Sequence, residues 1–301
     1  MHLPTSALVL IWCSVALFRL LESQVRAYAE RRMTIAAGYL SAEGVVFGAD
    51  STTTFSFGQP GPGQTLKFYN SAQKVFEIGP MGQARFGLCT WGDGRLGGNV
   101  SHRAVAARLA DKATATSTVQ DLSNELVSIL EEPAIKAGRD GIGYLLGGID
   151  VETRTPACSQ ILAAGQNAPQ ILPLKMEDAI VAGAPRFFSR MDVGYDSELP
   201  ALVAKHLRPL IPNAPADLDT LVTAAVQAAA RELPGSVTRG LPLRDAIDFV
   251  HTYLHLTIKA HKFMLGPTLC GGTIEVGFVS VDRPFRWVRH KSFDSAIDEV
   301  L

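Results

Sequence analysis

Short β-prone runs that follow one another across hairpin-sized turns, with no helix between them, set the strongest limit on how this chain folds. Residues 35–39 and 44–49 flank Ser41-Ala42-Glu43-Gly44, and residues 74–78 and 85–89 flank Gly79-Pro80-Met81-Gly82. Turns this short join antiparallel strands, whereas a parallel pair needs a long crossover, so the pattern predicts antiparallel sheets rather than βαβ units. Between the two hairpins, Gly58-Gln59-Pro60-Gly61-Pro62-Gly63 cannot hold regular structure and reads as an exposed loop.

Helical periodicity appears further on. Thr118 and Asp121 have capping-box spacing, and Val119, Leu122, Leu126, Ile129 and Leu130 share one face of a helix that Pro133 and Gly138 should end. Strand-like segments return at residues 141–149, 159–164 and 179–182. Two long helices follow at residues 217–232 and 243–263, and strands around 273–281 and 285–288 close the chain. The order is strands, helices, strands, helices, strands, which predicts an α+β fold of stacked antiparallel sheets covered by helices. No repeat or long linker divides residues 34–301, so they read as a single domain.

Composition excludes several function classes. At 301 residues and 47% hydrophobic, the chain can bury a sizeable core, and a net charge of −1 provides no field to draw it to nucleic acid or an anionic membrane. Cys13, Cys89, Cys158 and Cys270 are scattered without CxxC pairs, which disfavours a disulfide framework or a thiolate zinc site and fits a reducing, cytoplasmic setting. The first 33 residues stand apart. Residues 7–18 form an apolar run of signal-peptide length and Ala27-Tyr28-Ala29 resembles a cleavage site, yet no Lys or Arg precedes the run. A pro-segment and a true start at Met33 are the readings preferred; a signal or anchor, which would make the protein secreted or membrane-attached, is the third.

Residues 34–51, from Thr34 through Gly48-Ala49-Asp50-Ser51, resemble without a gap the opening of proteasome β subunits and of the bacterial HslV-type peptidase. Those threonine N-terminal-nucleophile (Ntn) hydrolases begin with a threonine and reach an aspartate sixteen positions later, the spacing of Thr34 and Asp50. Lys74-Val75-Phe76-Glu77-Ile78 resembles the strand bearing the family's catalytic lysine, residues 86–93 its small-residue strand end, and Cys270-Gly271-Gly272-Thr273 its small-Gly-Gly step. Similarity covers most of 34–93, with further pieces in 141–195 and 270–288. The resemblance implies a four-layer αββα sandwich, a peptide or protein substrate, no cofactor, and a homo-oligomer built as a ring, with an ATPase partner suggested by resemblance only.

The residue types make chemical sense on their own terms. A threonine hydroxyl is a poor nucleophile until a base takes its proton, and a free α-amine, with an ordinary pKa of about 7.7 to 8.0, can be that base near neutrality. A lysine at position 74 beside Thr34 would favour the alkoxide and keep the amine unprotonated, and Asp50 would neutralise and orient it. The resemblance places the oxyanion-binding backbone N–H at Cys89. Because an acylated nitrogen is no base, whatever precedes Thr34 must be removed, either by initiator-methionine excision at Met33 or by cleavage of a longer leader.

Two departures keep other readings open. Pro267 stands where proteasome β subunits have an aspartate, and Ala184 where a serine is expected. A catalytically silent structural subunit and a small-molecule amidase of the same class are therefore rivals to a peptidase. Three further motifs are set aside. Gly92-Asp93-Gly94-Arg95-Leu96-Gly97 matches GxGxxG but is not followed by a second parallel strand; His251 and His255, near Asp248, lack the HExxH glutamate; and Arg283, Arg286, Arg289 and Lys291 alternate with Phe285 and Trp287 as a half-exposed terminal strand does. Asn99-Val100-Ser101 is a glycosylation sequon only in a secreted chain.

Overall fold

The computed structural model describes residues 34–57, 65–94, 96–139, 141–150, 152–183, 186–232, 240–264 and 270–291. The leader, the Gly58–Gly63 stretch, Ala184 and Pro267 lie outside them. The fold is mixed α/β with antiparallel sheets. Strands β1 (Ala36–Ser41) and β2 (Gly44–Ala49) pair as the expected hairpin, with Ser41 opposite Gly44. They form the centre of a five-stranded sheet in the order β10-β1-β2-β11-β12, completed by β10 (Ala179–Ala182), β11 (Glu275–Ser280) and β12 (Arg283–Arg289). A second five-stranded sheet runs in sequence order: β5 (Val75–Ile78), β6 (Phe86–Gly92), β7 (Gly141–Ile149), β8 (Pro156–Ala164) and β9 (Gln170–Pro173).

A third, two-stranded sheet of β3 (Thr53–Phe57) and β4 (Thr65–Tyr69) was not expected from the sequence. Its strands flank the glycine- and proline-rich stretch, whose turn signals mask the hairpin they close. Pro133 corrects another expectation. Helix α1 (His102–Lys112) is followed by α2 (Val119–Leu130), which carries the expected Thr118–Asp121 capping box, but Pro133 then opens a separate short helix, α3 (Pro133–Ala137). A proline at the first helical turn sacrifices an N–H that would be unpaired there anyway. Helices α4 (Arg186–Asp192), α5 (Leu199–Leu207), α6 (Leu218–Glu232) and α7 (Leu243–Phe263) complete the described α-helices.

Among the described residues, three apolar clusters hold the two large sheets, α1, α2 and α7 together. Val45, Phe47, Val75, Cys89 and Leu145 bring residues of the two large sheets into one cluster; Leu88, Leu109, Leu122, Leu126 and Tyr144 join the second sheet to α1 and α2; Tyr39, Val46, Val250 and Leu254 join the first sheet to α7. The sheets touch so closely that a β-carbon on Gly38 would lie 2.2 Å from Leu145 Cδ2, and one on Gly87 would strike the Phe47 ring. Full burial of such side chains contributes about 1.5–3 kcal/mol each. Among the described residues no helix is long and apolar enough to cross a membrane.

Candidate active site

In antiparallel sheets, one pole collects the beginnings of some strands and the ends of their neighbours. Ala36 lies opposite Ala49, so Thr34, just before β1, sits beside Asp50, just after β2. Glu275 opens β11 opposite Ala49, and Lys74 immediately precedes β5 in the facing sheet. The fold thus carries Thr34, Asp50 and Lys74 to one place.

All three side chains are buried. The Lys74 ammonium has three protons, and each has an acceptor: Thr34 Oγ1, Asp50 Oδ1 at 2.6 Å and the Thr52 carbonyl at 2.6 Å. Thr34 Oγ1 in turn donates to Asp50 Oδ1 at 2.9 Å. Asp50 also accepts from the Ile35 N–H at 3.1 Å, the Thr52 N–H at 3.2 Å and the Gly271 N–H at 2.9 Å. Removing two charges from water is expensive unless they pair and their remaining hydrogen-bonding positions are filled. Both conditions hold here: Asp50 and Lys74 pair with each other, and their remaining hydrogen-bonding positions are filled around the hydroxyl.

Glycines let the backbone close in. Gly183 has φ +88°, and a β-carbon there would lie 1.8 Å from the Thr34 carbonyl oxygen. Gly272, at φ +71°, allows the segment before β11 to approach the Asn70 carbonyl and Ser51. Ser51 is tied to the same segment by its hydroxyl, which donates to the Thr273 carbonyl, and by its N–H, which donates to the Gly271 carbonyl at 2.9 Å.

Beside Thr34 opens a cavity of about 280 Å³. Its walls include Thr52, Gln73, Thr90, Trp91, Asp93 and His102. His102 Nε2 donates to the Asp93 carbonyl at 2.6 Å, which leaves Nδ1 to accept from the Tyr144 hydroxyl at 2.7 Å. Burial pushes the His102 pKa below that of an ordinary histidine, so the wall presents a neutral imidazole.

Cys89 is placed differently from its expected role. It lies in the interior of β6, opposite Val75 on one side and Leu145 on the other, and its thiol, raised in pKa by burial, faces the Gly48 carbonyl at 3.4 Å. The Thr90 N–H donates to the Lys74 carbonyl at 2.9 Å. Amides alternate sides along an antiparallel strand, so the Cys89 N–H points toward β7 as a ladder donor. It does not face Thr34.

The motifs set aside on sequence grounds fall into structural places. Gly97 begins a 3-10 turn pressed onto α3, where a β-carbon would lie 1.9 Å from the Ala134 carbonyl oxygen. The His251 and His255 rings stack on α7, and among the described residues no group of three or more His, Cys, Asp or Glu is gathered to hold a metal ion. β12 is a half-exposed edge strand that buries Phe285 and leaves its arginines in solvent. One acid at the site went unnoticed in the sequence: Glu275 is fully buried and accepts from the Lys74 N–H at 3.3 Å. Its place directly after Cys270-Gly271-Gly272-Thr273-Ile274 was the available signal.

Comparison with known proteins finds no matching family model and no matching curated sequence.

Proposed function

We propose that the protein is a threonine-type N-terminal-nucleophile hydrolase of peptide or other amide bonds, with Thr34 as nucleophile. The observation that carries this reading is the buried contact of the Thr34 hydroxyl with both Lys74 and Asp50. The layer order suits it: helices α1 and α2 against one large sheet, α7 against the other, and an apolar cluster joining the two sheets read as an αββα sandwich.

Once the bond before Thr34 is cut, the liberated α-amine takes the Oγ proton as Oγ bonds to the substrate carbonyl carbon. The C–N bond breaks, the proton passes to the leaving amine, and an acyl ester remains on Thr34. Water, deprotonated by the same amine, then attacks the ester, releasing the acid and restoring the hydroxyl. Lys74 favours the negative charge on Oγ and disfavours a second positive charge on the amine, while Asp50 holds Lys74 in place. Ring assembly from copies of this chain belongs to the same reading, and a monomer by native mass measurement at micromolar concentration would remove it.

N-terminal sequencing together with a threonine-directed covalent inhibitor tests the assignment. A mature chain that begins at Thr34 and gains the mass of one inhibitor supports it; an active form that retains its leader refutes it. A silent structural subunit is the second reading, favoured by Ala184, Pro267 and a Cys89 amide engaged in the β6–β7 ladder. No adduct on correctly processed chain would select it. Parallel panels of peptides and small acyl amides divide peptidase from amidase.

A further inference from the structure

A second acid lies beneath the first, and the proposed reaction gives it no task. Glu275 is 0% exposed, as is Asp50, and an ionised carboxylate at such depth requires countercharge. One oxygen, Oε2, accepts from the Lys74 backbone N–H. The other, Oε1, faces His290 Nδ1 at 3.1 Å and Lys291 Nζ at 3.7 Å. Lys291 Nζ also donates to the carbonyl of Ala72, a residue of the cavity wall beside Thr34. The residues that follow β12 are therefore fastened to the site from below, and Trp287 stacks on His290 at 4.0 Å to hold that corner.

Resting on the Thr34 reading, we propose that Glu275 and Lys291 form a second ion pair that positions Lys74 and sets the pH at which Thr34 becomes reactive. Two opposed charges lie behind the Asp50–Lys74 pair. Glu275 draws protons toward the site and Lys291 repels them, so each offsets the other. Among the described residues, the titratable groups around the two pairs are Asp50 after β2, Lys74 before β5, Cys89 on β6, His261 on α7, Cys270 before β11, and His290 and Lys291 after β12. Burial lowers the Lys291 pKa, with Glu275 opposing that fall and Lys74 adding to it, so the two pairs lie within electrostatic reach. Arg289, the next charge along β12, is exposed and acts on His251 of α7.

Glu275→Gln and Lys291→Met separate this role from a purely structural one because their effects have opposite signs. Removing the acid makes the site more positive, so the amine loses its proton more readily and the acid limb of kcat/KM moves to lower pH. Removing the lysine moves it to higher pH. Each displacement should be roughly half a unit to one unit, as expected of charges several ångströms apart in a partly screened interior. Limbs that stay in place, or move together, overturn the proposal. Should Glu275→Gln fail to fold, Lys291→Met alone decides, since its limb must rise.

A readout that needs no turnover is the pH titration of the Lys74 side-chain carbon resonance, which should shift down in Glu275→Gln and up in Lys291→Met. A wild-type protein that neither hydrolyses amides nor gains the inhibitor refutes the Thr34 reading alone. Opposite shifts of Lys74 in that protein still uphold the second ion pair, and an unshifted Lys74 in both variants overturns it.

Discussion

The two large sheets and the helical pair α5–α6 are built to different standards. Between the sheets, glycines bring backbone against side chain, and Phe47, Leu145 and Val45 are almost wholly excluded from solvent. The helical pair has a small cluster of its own, Ala204, Leu218 and Val222, and exposes Leu199, Leu202 and Leu221. Every residue of the Thr34–Asp50–Lys74 contact belongs to the first region. A hydroxyl, a carboxyl group and a lysine amine can be held within hydrogen-bonding distance only where packing leaves no other arrangement. The helical pair has no such demand on it.

The largest expected effect falls on the chemistry. Thr34→Ala should lower turnover of a responsive amide by on the order of 10³-fold or more, with a loss of stability of about 1–3 kcal/mol, because the substitution removes a γ-methyl and leaves one proton of the buried Lys74 side chain without its acceptor. Steady-state kinetics beside calorimetry check this, and normal turnover in the variant would overturn the assigned role. Asp50→Ala should damage both properties. It strands Lys74 in a buried site without its carboxylate, a change that costs about 3–5 kcal/mol where one partner of a buried pair is removed. Loss of activity without loss of stability in Asp50→Ala would mean that water, rather than packing, supports Lys74.

Within the packing itself, Phe47→Ala should cost about 3–5 kcal/mol and Leu218→Ala about 1–2 kcal/mol, since the sheets cannot collapse into the space while the helical pair can. Denaturant midpoints at constant slope would measure the ratio. Native-state hydrogen exchange sharpens the same contrast: amides of α5 and α6 should open at lower free energy than those of β1, β2 and β6. Equal protection in both regions would erase the distinction.

Much of the candidate site was legible through resemblance: the sixteen-residue step from Thr34 to Asp50 and the strand that starts after Lys74 matched a known pattern. The structure adds the physical reason they meet, since all three sit at strand ends on one pole. Glu275 was not legible, since its register opposite Ala49 depends on pairing across more than two hundred residues. Nor was the direction of the Cys89 amide, which is set by which neighbour accepts from Thr90. The β3–β4 hairpin failed for a local reason, strong turn signals between two short strands. Pro133 was read as a stop because a proline ends one helix and begins another with equal ease, and only the next packing partner decides.

The smallest effect concerns His102 in the wall of the site-bearing body. Its folded-state pKa lies below the ordinary value of 6.5 because burial disfavours the imidazolium. The unfolded chain therefore binds a proton that the folded chain refuses, and the sign is fixed: stability is full above the unfolded pKa and falls as pH drops below it. The loss accrues at no more than about 1.4 kcal/mol per pH unit for one proton and levels off near the folded pKa. His102→Gln retains hydrogen-bonding capacity toward Tyr144 and the Asp93 carbonyl but cannot titrate, so its stability should depend less on pH below 6.5 than the wild type's. Denaturant titrations at several pH values read the difference between the two slopes. The difference must appear in the unfolding of the sheets; if it appears only in the exchange of α5 and α6 amides, the pH-sensitive group lies in the looser region instead.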